Sequence, residues 1–486
     1  MKRILLPLLL FAGLFAQGQS YNNEWIDYSK TYYKFKVGAD GLYRINQSVL
    51  ATAGLGSVPA ENFQLWRNGQ QIPLYTSVQT GVFGISDYIE FWGEMNDGKP
   101  DLPLYRIPDH QLNDKWSLET DTAFYFLTVN PSGTNLRLVP TTNNLPTSLT
   151  PEPFFIHTVG KYYRDKYHFG YAAVVGEYVY SSNYENGEGF TSPNLAANAT
   201  RTETFSNLFP SSNAGAPSPF LRINATGDAL NPRQFEVRVN GNLVATQTMD
   251  YFDYVKANIP ISITDISSGT AALAVKNISP GASDRMVIAK SELVYAREFN
   301  FGGANNFSFE LPANAAGNYL EITGFNYGTL PPILYDLTNG KRYVADIINA
   351  PTIRVVLEPS ASSRKLLLVT QDAAFPKLVT SLQLRNFINY ALPANQGNFL
   401  IITHPALLNG SGGSTPVEDY KAYRNSTAGG SHNAKVYMID QLVDQFGFGI
   451  KQHPLSVRNF IRWARNTYTS PVKNVFLVGK GLNYIH

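Results

Sequence analysis

Along most of the chain, apolar and polar residues alternate in short runs, the period-two pattern of half-buried β-strands. Between residues 20 and 150 such runs are YYKFKV (Tyr32–Val37), FQLWRNGQQIPLY (Phe63–Tyr75) and TAFYFLTV (Thr122–Val129). Asn68-Gly69 interrupts the second run. That dipeptide readily takes the positive φ angles of a tight turn, so an antiparallel hairpin is expected there. A second set of runs fills residues 151–295: FLRINATG, QFEVRVNGNLVAT with its turn at Asn240-Gly241, NIPISI, TAALAVKNI and ELVYARE. Their length and regular spacing predict a β-sandwich of jelly-roll type. Residues 296–395 continue as NYLEITGF, RYVADII, TIRVVLE and KLLLVT, with another turn at Asn339-Gly340, and read as a β connector. No fixed-period repeat marks a propeller or a solenoid.

The pattern changes at Asn398. NFLIIT (Asn398–Thr403) is a continuous apolar run, as expected of a strand buried on both faces. Thr415 as N-cap, Pro416 in the first helical position and Glu418 as the partner in a capping box predict a helix in TPVEDYKAYRN. AKVYMID (Ala434–Asp440) reads as a second buried strand and KNVFLVG (Lys473–Gly479) as a third. Between them LSVRNFIRWARN carries Val457, Phe460, Ile461 and Ala464 on one helical stripe, with Arg458, Arg462 and Arg465 on the solvated face. The order strand, helix, strand, helix, strand predicts a parallel sheet. The fold class is therefore multidomain and mainly β, with the start of an α/β domain at the end. The expected segments are a signal peptide at 1–19, an N-terminal β domain at 20–150, the sandwich at 151–295, the connector at 296–395 and an incomplete α/β domain at 396–486.

Composition narrows the function. Lys2 and Arg3 precede an apolar run too short to span a bilayer and small residues near Ala16, which is the pattern of a cleaved export signal. No later segment is long and apolar enough to be a transmembrane span, so the expected location is the periplasm, the outer membrane surface or the medium. The formal net charge of +2 gives no field that would favour nucleic acid. There are 0 Cys among the 486 residues, so no disulfide and no thiol nucleophile exists in this chain.

Candidate chemistry is sparse. Glu94, Asp97 and Asp101 in DYIEFWGEMNDGKPD lack the spacing of a calcium loop and read as a solvated turn. His157 and His168 have no partner at metal-ligand spacing. The aromatics of YYRDKYHFGY (Tyr162–Tyr171) fit either ligand stacking or packing. In a parallel sheet the strand carboxyl ends form the working edge, which collects Thr403, His404, Asp440 and Gly479-Lys480-Gly481. His404 oriented by Asp440 is a candidate base. Gly479-Lys480-Gly481 lacks the spacing of a phosphate loop.

The stretch from VEDYKAYRNS through AKVYMIDQLVDQFGFGIKQHPLSVRNFIRWA to VKNVFLVGKGLNY resembles the opening of the gingipain-type (C25) peptidase domain of Bacteroidetes, a caspase-like α/β fold. YYKFKVGADGLYRI and YENGEGF (Tyr184–Phe190) extend the likeness to the type IX secretion sortases within that family. The resemblance implies a cysteine peptidase in which a histidine of a Gly-His-Gly-like motif acts as acid and base and a cysteine on a nearby strand end attacks. It implies protein cargo bearing a C-terminal sorting domain, and other type IX secretion components, as partners. Both catalytic motifs of the family lie well beyond the strand that ends in Val478-Gly479, so the resemblance places them downstream of His486. No catalytic, cofactor-binding or metal-binding residue is therefore assigned here. Lys480 stands where many relatives have Asp.

Three functions follow as expectations. The leading one is the N-terminal part of an exported C25 sortase, inactive without its missing half and poorly stable in its α/β segment. The alternative is a non-enzymatic surface protein whose sandwich recognises glycan or a partner. A third is a hydrolase that uses His404 and Asp440 with a non-cysteine nucleophile.

Overall fold

The computed structural model describes residues 20–480 apart from 175 and 181–183. The expected signal peptide, Gly481 and the terminal His486 therefore lie outside the described residues. The chain forms β-layered units followed by an α/β unit, as its patterning predicts. In the N-terminal unit, one five-stranded sheet runs Gln383–Asn386, Thr31–Val37, Ala123–Val129, Phe63–Arg67, Gln70–Ile72. A four-stranded sheet runs Lys377–Leu378, Gly41–Asn46, Tyr88–Gly93, Tyr75–Thr76. Between them lie Phe35, Val37, Ile45, Phe63, Leu65, Phe91, Tyr125 and Leu127. The Asn68-Gly69 turn has φ of 48° and 73°, which lets Leu65 pair with Ile72.

One strand of this unit carries apolar residues on both faces because each face enters a different apolar cluster. In Ala123–Val129, Tyr125 and Leu127 enter the core between the sheets. Phe124 and Phe126 enter a second cluster with Trp25, Tyr32 and Phe387. Phe448 of the α/β unit packs on that second cluster. The outer face of the sheet is thus a docking surface for the end of the chain.

The sandwich faces a sheet of Leu195–Ala196, Arg285–Arg297, Phe220–Gly227 and Tyr254–Pro260, with Phe155–Tyr162 also paired to the long strand, against one of Thr200–Phe205, Ala271–Asn277, Pro232–Val239 and Asn242–Asp250. Its core is aliphatic, with Leu221, Ile223, Val237, Leu273, Ile288 and Leu293. The connector packs Asn300–Ala304, Asn318–Phe325 and Ile353–Leu357 against a five-stranded sheet that includes Arg364–Val369 and, at its edge, Val139–Thr141. Strand pairing thus crosses between segments that are far apart in sequence. Val139–Thr141 joins the connector sheet, and Lys377–Leu378 and Gln383–Asn386 return to the N-terminal unit.

In the terminal unit three parallel strands lie in the order Ala434–Met438, Phe399–Thr403, Asn474–Val478. Helix Pro416–Asn425 covers one face, placing Val417 against Phe399, Ile401 and Ala434. Helices Ile439–Phe446 and Leu455–Thr467 cover the other with Leu442, Phe446, Phe460 and Ala464 against Leu400, Ile402 and Tyr437. Burying each such side chain stabilises the unit by about 1.5–3 kcal/mol before entropy is counted.

Several local expectations need correction. The second strand ends at Met438, and Asp440 belongs to the first turn of a helix instead of the strand end that its sequence suggests. Ile439, Leu442, Val443 and Phe446 of that helix do fall at helical spacing. The capping box at Thr415 does not form: Thr415 Oγ1 donates to Asp419 Oδ1 at 3.0 Å, and Glu418 pairs with Lys421. The third strand is not buried on both faces. Val475, Phe476 and Leu477 are 38%, 41% and 61% exposed, because this strand is an open edge of the sheet.

Candidate functional site

The carboxyl edge of the parallel sheet is where this topology gathers polar groups. Register aligns Thr403 with Met438 on one side and with Val478 on the other. Thr403 is 2% exposed, and its Oγ1 has no hydrogen-bond partner among the described residues. His404 follows it into solvent. Its Nδ1 accepts the Ala406 N–H at 3.1 Å and so caps the short turn Pro405–Leu407. Gly479 leaves the edge strand with φ of 141°, and a Cβ there would stand 3.3 Å from Leu407 Cδ1. The residues that follow it, through His486, lie outside the described residues, so the edge is described only as far as Lys480.

The expected pair of His404 and Asp440 is not assembled. Asp440 Oδ2 accepts from Arg385 Nη1 at 3.0 Å, which ties it to the N-terminal unit. No hydrogen bond or ion pair joins the two among the described residues. The imidazole serves its own turn and the carboxylate serves an interface. The non-cysteine hydrolase therefore has no assembled base at this edge.

What holds the edge in place is a buried polar seam that the sequence did not reveal. Asp444 is 2% exposed and forms ion pairs with both Lys34 and Arg385, whose Nε lies 2.6 Å from Oδ2. Burial lowers the Lys34 ammonium against the opposing pull of Asp444. Tyr28 donates its hydroxyl to Gln445 Oε1 at 3.1 Å. In the following loop QFGFGI, Gly449 has φ of 82°, and a Cβ there would stand 2.8 Å from Phe124 Cβ. Only glycine lets the backbone approach the aromatic face this closely.

At the start of the long helix, Leu455 N–H donates to His453 Nδ1 at 3.3 Å, so Nε2 carries the proton and donates to Asp101 Oδ1 at 2.8 Å. Asp101 is 0% exposed, and its other oxygen accepts the Leu118 N–H at 2.7 Å. Beside it, burial and the Asp101 charge push the Glu119 carboxyl up to about 7. Asp101 is thus not part of a solvated loop. Glu94 is likewise committed to Arg67 and Lys365, and Asp97 to Lys99. No group of three or more metal-ligating side chains occurs among the described residues.

The remaining candidates sit in packing roles. His157 lies against Phe307 at 5.3 Å, and burial beside Arg297 brings it down to about 4. His168 is buried with Nδ1 3.0 Å from the Gly187 carbonyl. Of the YYRDKYHFGY aromatics, Tyr163 is 1% exposed in the sandwich core and Tyr171 is 48% exposed. Arg458 is half-buried beside Tyr184, whereas Arg462 and Arg465 face solvent.

Residues 392–485 match the model of peptidase family C25, a stretch that takes in the α/β unit just described. No curated protein sequence matches the chain. Among solved structures, the dimeric latent PorU from Porphyromonas gingivalis superposes with a TM-score of 0.55 at 14% identity, covering 92% of this chain and 41% of that one. Two carbohydrate-binding modules of family 36 match over 28% of this chain, at 9% and 12% identity, each with a TM-score of 0.18. One comes from a xylanase of the hindgut metagenome of Trinervitermes trinervoides, and the other was solved with calcium and xylotriose. Residues 392–485 are thus similar to the gingipain-type C25 peptidases, and the chain shares its fold with part of the PorU chain. It spans 41% of the length of that PorU chain. No described helix is long and apolar enough to cross a membrane.

Proposed function

We propose that the chain is the exported scaffold and first α/β half of a C25 cysteine peptidase, acting as a type IX secretion sortase that cleaves C-terminal sorting domains from protein cargo. The observation that carries this reading is the C25 match at residues 392–485, on the unit whose parallel strands present a carboxyl edge. The fold shared with PorU over 92% of this chain supports the same placement for the β units that precede it.

The chemistry divides accordingly. A peptidase of this family needs a thiolate, an imidazole that moves its proton, and donors for the oxyanion. With 0 Cys in the chain, the sulfur belongs to polypeptide outside these residues, which in this reading follows His486. His404 caps its own turn, its Nδ1 accepting the Ala406 N–H. This half supplies a three-stranded parallel sheet, a buried seam that joins it to the N-terminal unit, and an edge strand, Asn474–Val478, on which in this reading further strands pair. Export, and a site of action at the outer membrane or beyond, follow from the leader-like pattern at Lys2 and Arg3.

The test is deletion of the gene followed by mass analysis of secreted cargo. Cargo that keeps its C-terminal sorting domain is the expected result. Cargo processed normally in the deletion strain overturns the proposal.

A further inference from the structure

The outer face of the larger sandwich sheet carries a grid of polar and apolar side chains that the peptidase reading does not use. Leu221, Ile223, Ala257 and Ile259 fill the core, so the alternate residues on the same strands face outward. Register sets them in rows. Lys256, Asn224 and Lys290 form one row; Asn258, Arg222 and Glu292 form the next; Pro260, Phe220 and Val294 form the third. Rows stand about 6.8 Å apart along the strands, and neighbours within a row about 4.8 Å apart.

The segment leading to Asp114 walls off the first row. The Leu112 carbonyl accepts from Asn224 Nδ2 at 2.7 Å, Asp109 takes Lys256 at 2.8 Å, and Asp114 takes Lys290 at 3.3 Å. Two clefts of about 440 and 520 Å³ open beside this wall, and Arg222 and Asn258 line both. Most charges here are already committed. Glu292 is 3% exposed and takes the Tyr162 hydroxyl at 2.8 Å as well as Arg222 Nη1 at 3.3 Å. Burial and the Glu292 charge raise the Tyr162 phenol well above its ordinary value, so it stays a donor.

Arg222 differs from its neighbours. Its side chain is 42% exposed, and its one long bond to Glu292 leaves the Nε and Nη2 donors without a partner among the described residues. The exposed Asn258 amide beside it likewise has no side-chain partner among the described residues. Phe220 lies under the guanidinium at 5.3 Å, with Pro260 next to it.

We propose that this face binds an oligosaccharide that carries carboxylate groups. The guanidinium fork of Arg222 takes a sugar carboxylate through paired N–H donors. The Asn258 amide both donates to and accepts from a neighbouring hydroxyl. Phe220 and Pro260 pack against the apolar face of a ring. Every contributor stands on a strand, and Glu292 holds Arg222 from behind, so the site is ordered before the ligand arrives. The inference is independent of catalysis and of the proposed sortase activity.

The test is affinity electrophoresis of the folded chain through gels that contain polygalacturonate or neutral hydroxyethylcellulose. Retardation by polygalacturonate alone is expected, weakened at least tenfold in Arg222→Ala and measurably in Asn258→Ala. Arg238→Ala, which removes a cation from the opposite sheet, should migrate like the parent chain in both gels. Equal thermal midpoints for all four proteins exclude unfolding as the cause. The proposal is overturned by no retardation of the parent chain, by equal retardation in the neutral polymer, by retardation that survives Arg222→Ala, or by an Arg238→Ala loss as large as that of Arg222→Ala.

Discussion

At the scale of single residues, the most consequential contact is the one between His453 and Asp101, both nearly inaccessible and 352 positions apart. Asp101→Ala removes the acceptor from the buried His453 Nε2–H and from the partly buried Leu118 N–H. Losing it should cost about 3 kcal/mol at the seam. Hydrogen exchange in the helix Leu455–Thr467 should report it as lost protection, while the sandwich strands stay protected. Glu119 adds a pH dependence. Its folded carboxyl is raised to about 7 from an ordinary 4.5, so the folded state holds a proton that the unfolded chain releases. That contribution is fully present below pH 4.5 and is lost as pH rises through 7. Urea midpoints measured between pH 5 and 8 should fall with rising pH, and Glu119→Gln should flatten that slope and be the more stable protein at pH 8. None of this was legible in DYIEFWGEMNDGKPD. A carboxylate beside Gly and Pro reads as a surface turn, and only tertiary packing across the chain buries it.

At the scale of elements, what could be read depended on range. The Asn-Gly hairpins and the period-two strands are local properties, and the structure places them where the pattern does. Phe220–Gly227 and Asn318–Phe325 coincide with the runs FLRINATG and NYLEITGF. The edge strands Lys377–Leu378 and Gln383–Asn386 carry little apolar pattern, and they pair with partners hundreds of residues away. Sequence alternation has no means to report such pairing. The helix Ile439–Phe446 has helical apolar spacing, but it follows a strand without a break, so Asp440 reads as that strand's end. This helix owns the second half of the seam. Asp444→Ala leaves Lys34 and Arg385 facing each other without their shared carboxylate and should destabilise the docked unit by about 3–5 kcal/mol. Limited proteolysis of that variant should release fragments of the α/β unit first. Gly449→Ala forces a side chain toward Phe124 at a positive φ and should loosen the same seam by about 1–3 kcal/mol, checked by the same digestion pattern.

At the scale of the whole molecule, the β-layered units precede a parallel sheet whose outer strands, Ala434–Met438 and Asn474–Val478, each have one paired side among the described residues. VFLV in Asn474–Val478 has the continuous apolar character of a central strand, yet it stands at an edge with Leu477 61% exposed. Sequence and position disagree there, and in the proposed reading further strands pair along it. The direct measurement is the native transcript, sequenced through the codon for His486 and onward. The expected result is an open frame that goes on to encode further α/β strands, a histidine in a Gly-His-Gly-like motif and a cysteine at a later strand end. A stop codon immediately after that of His486, with no such residues encoded in frame, would contradict it.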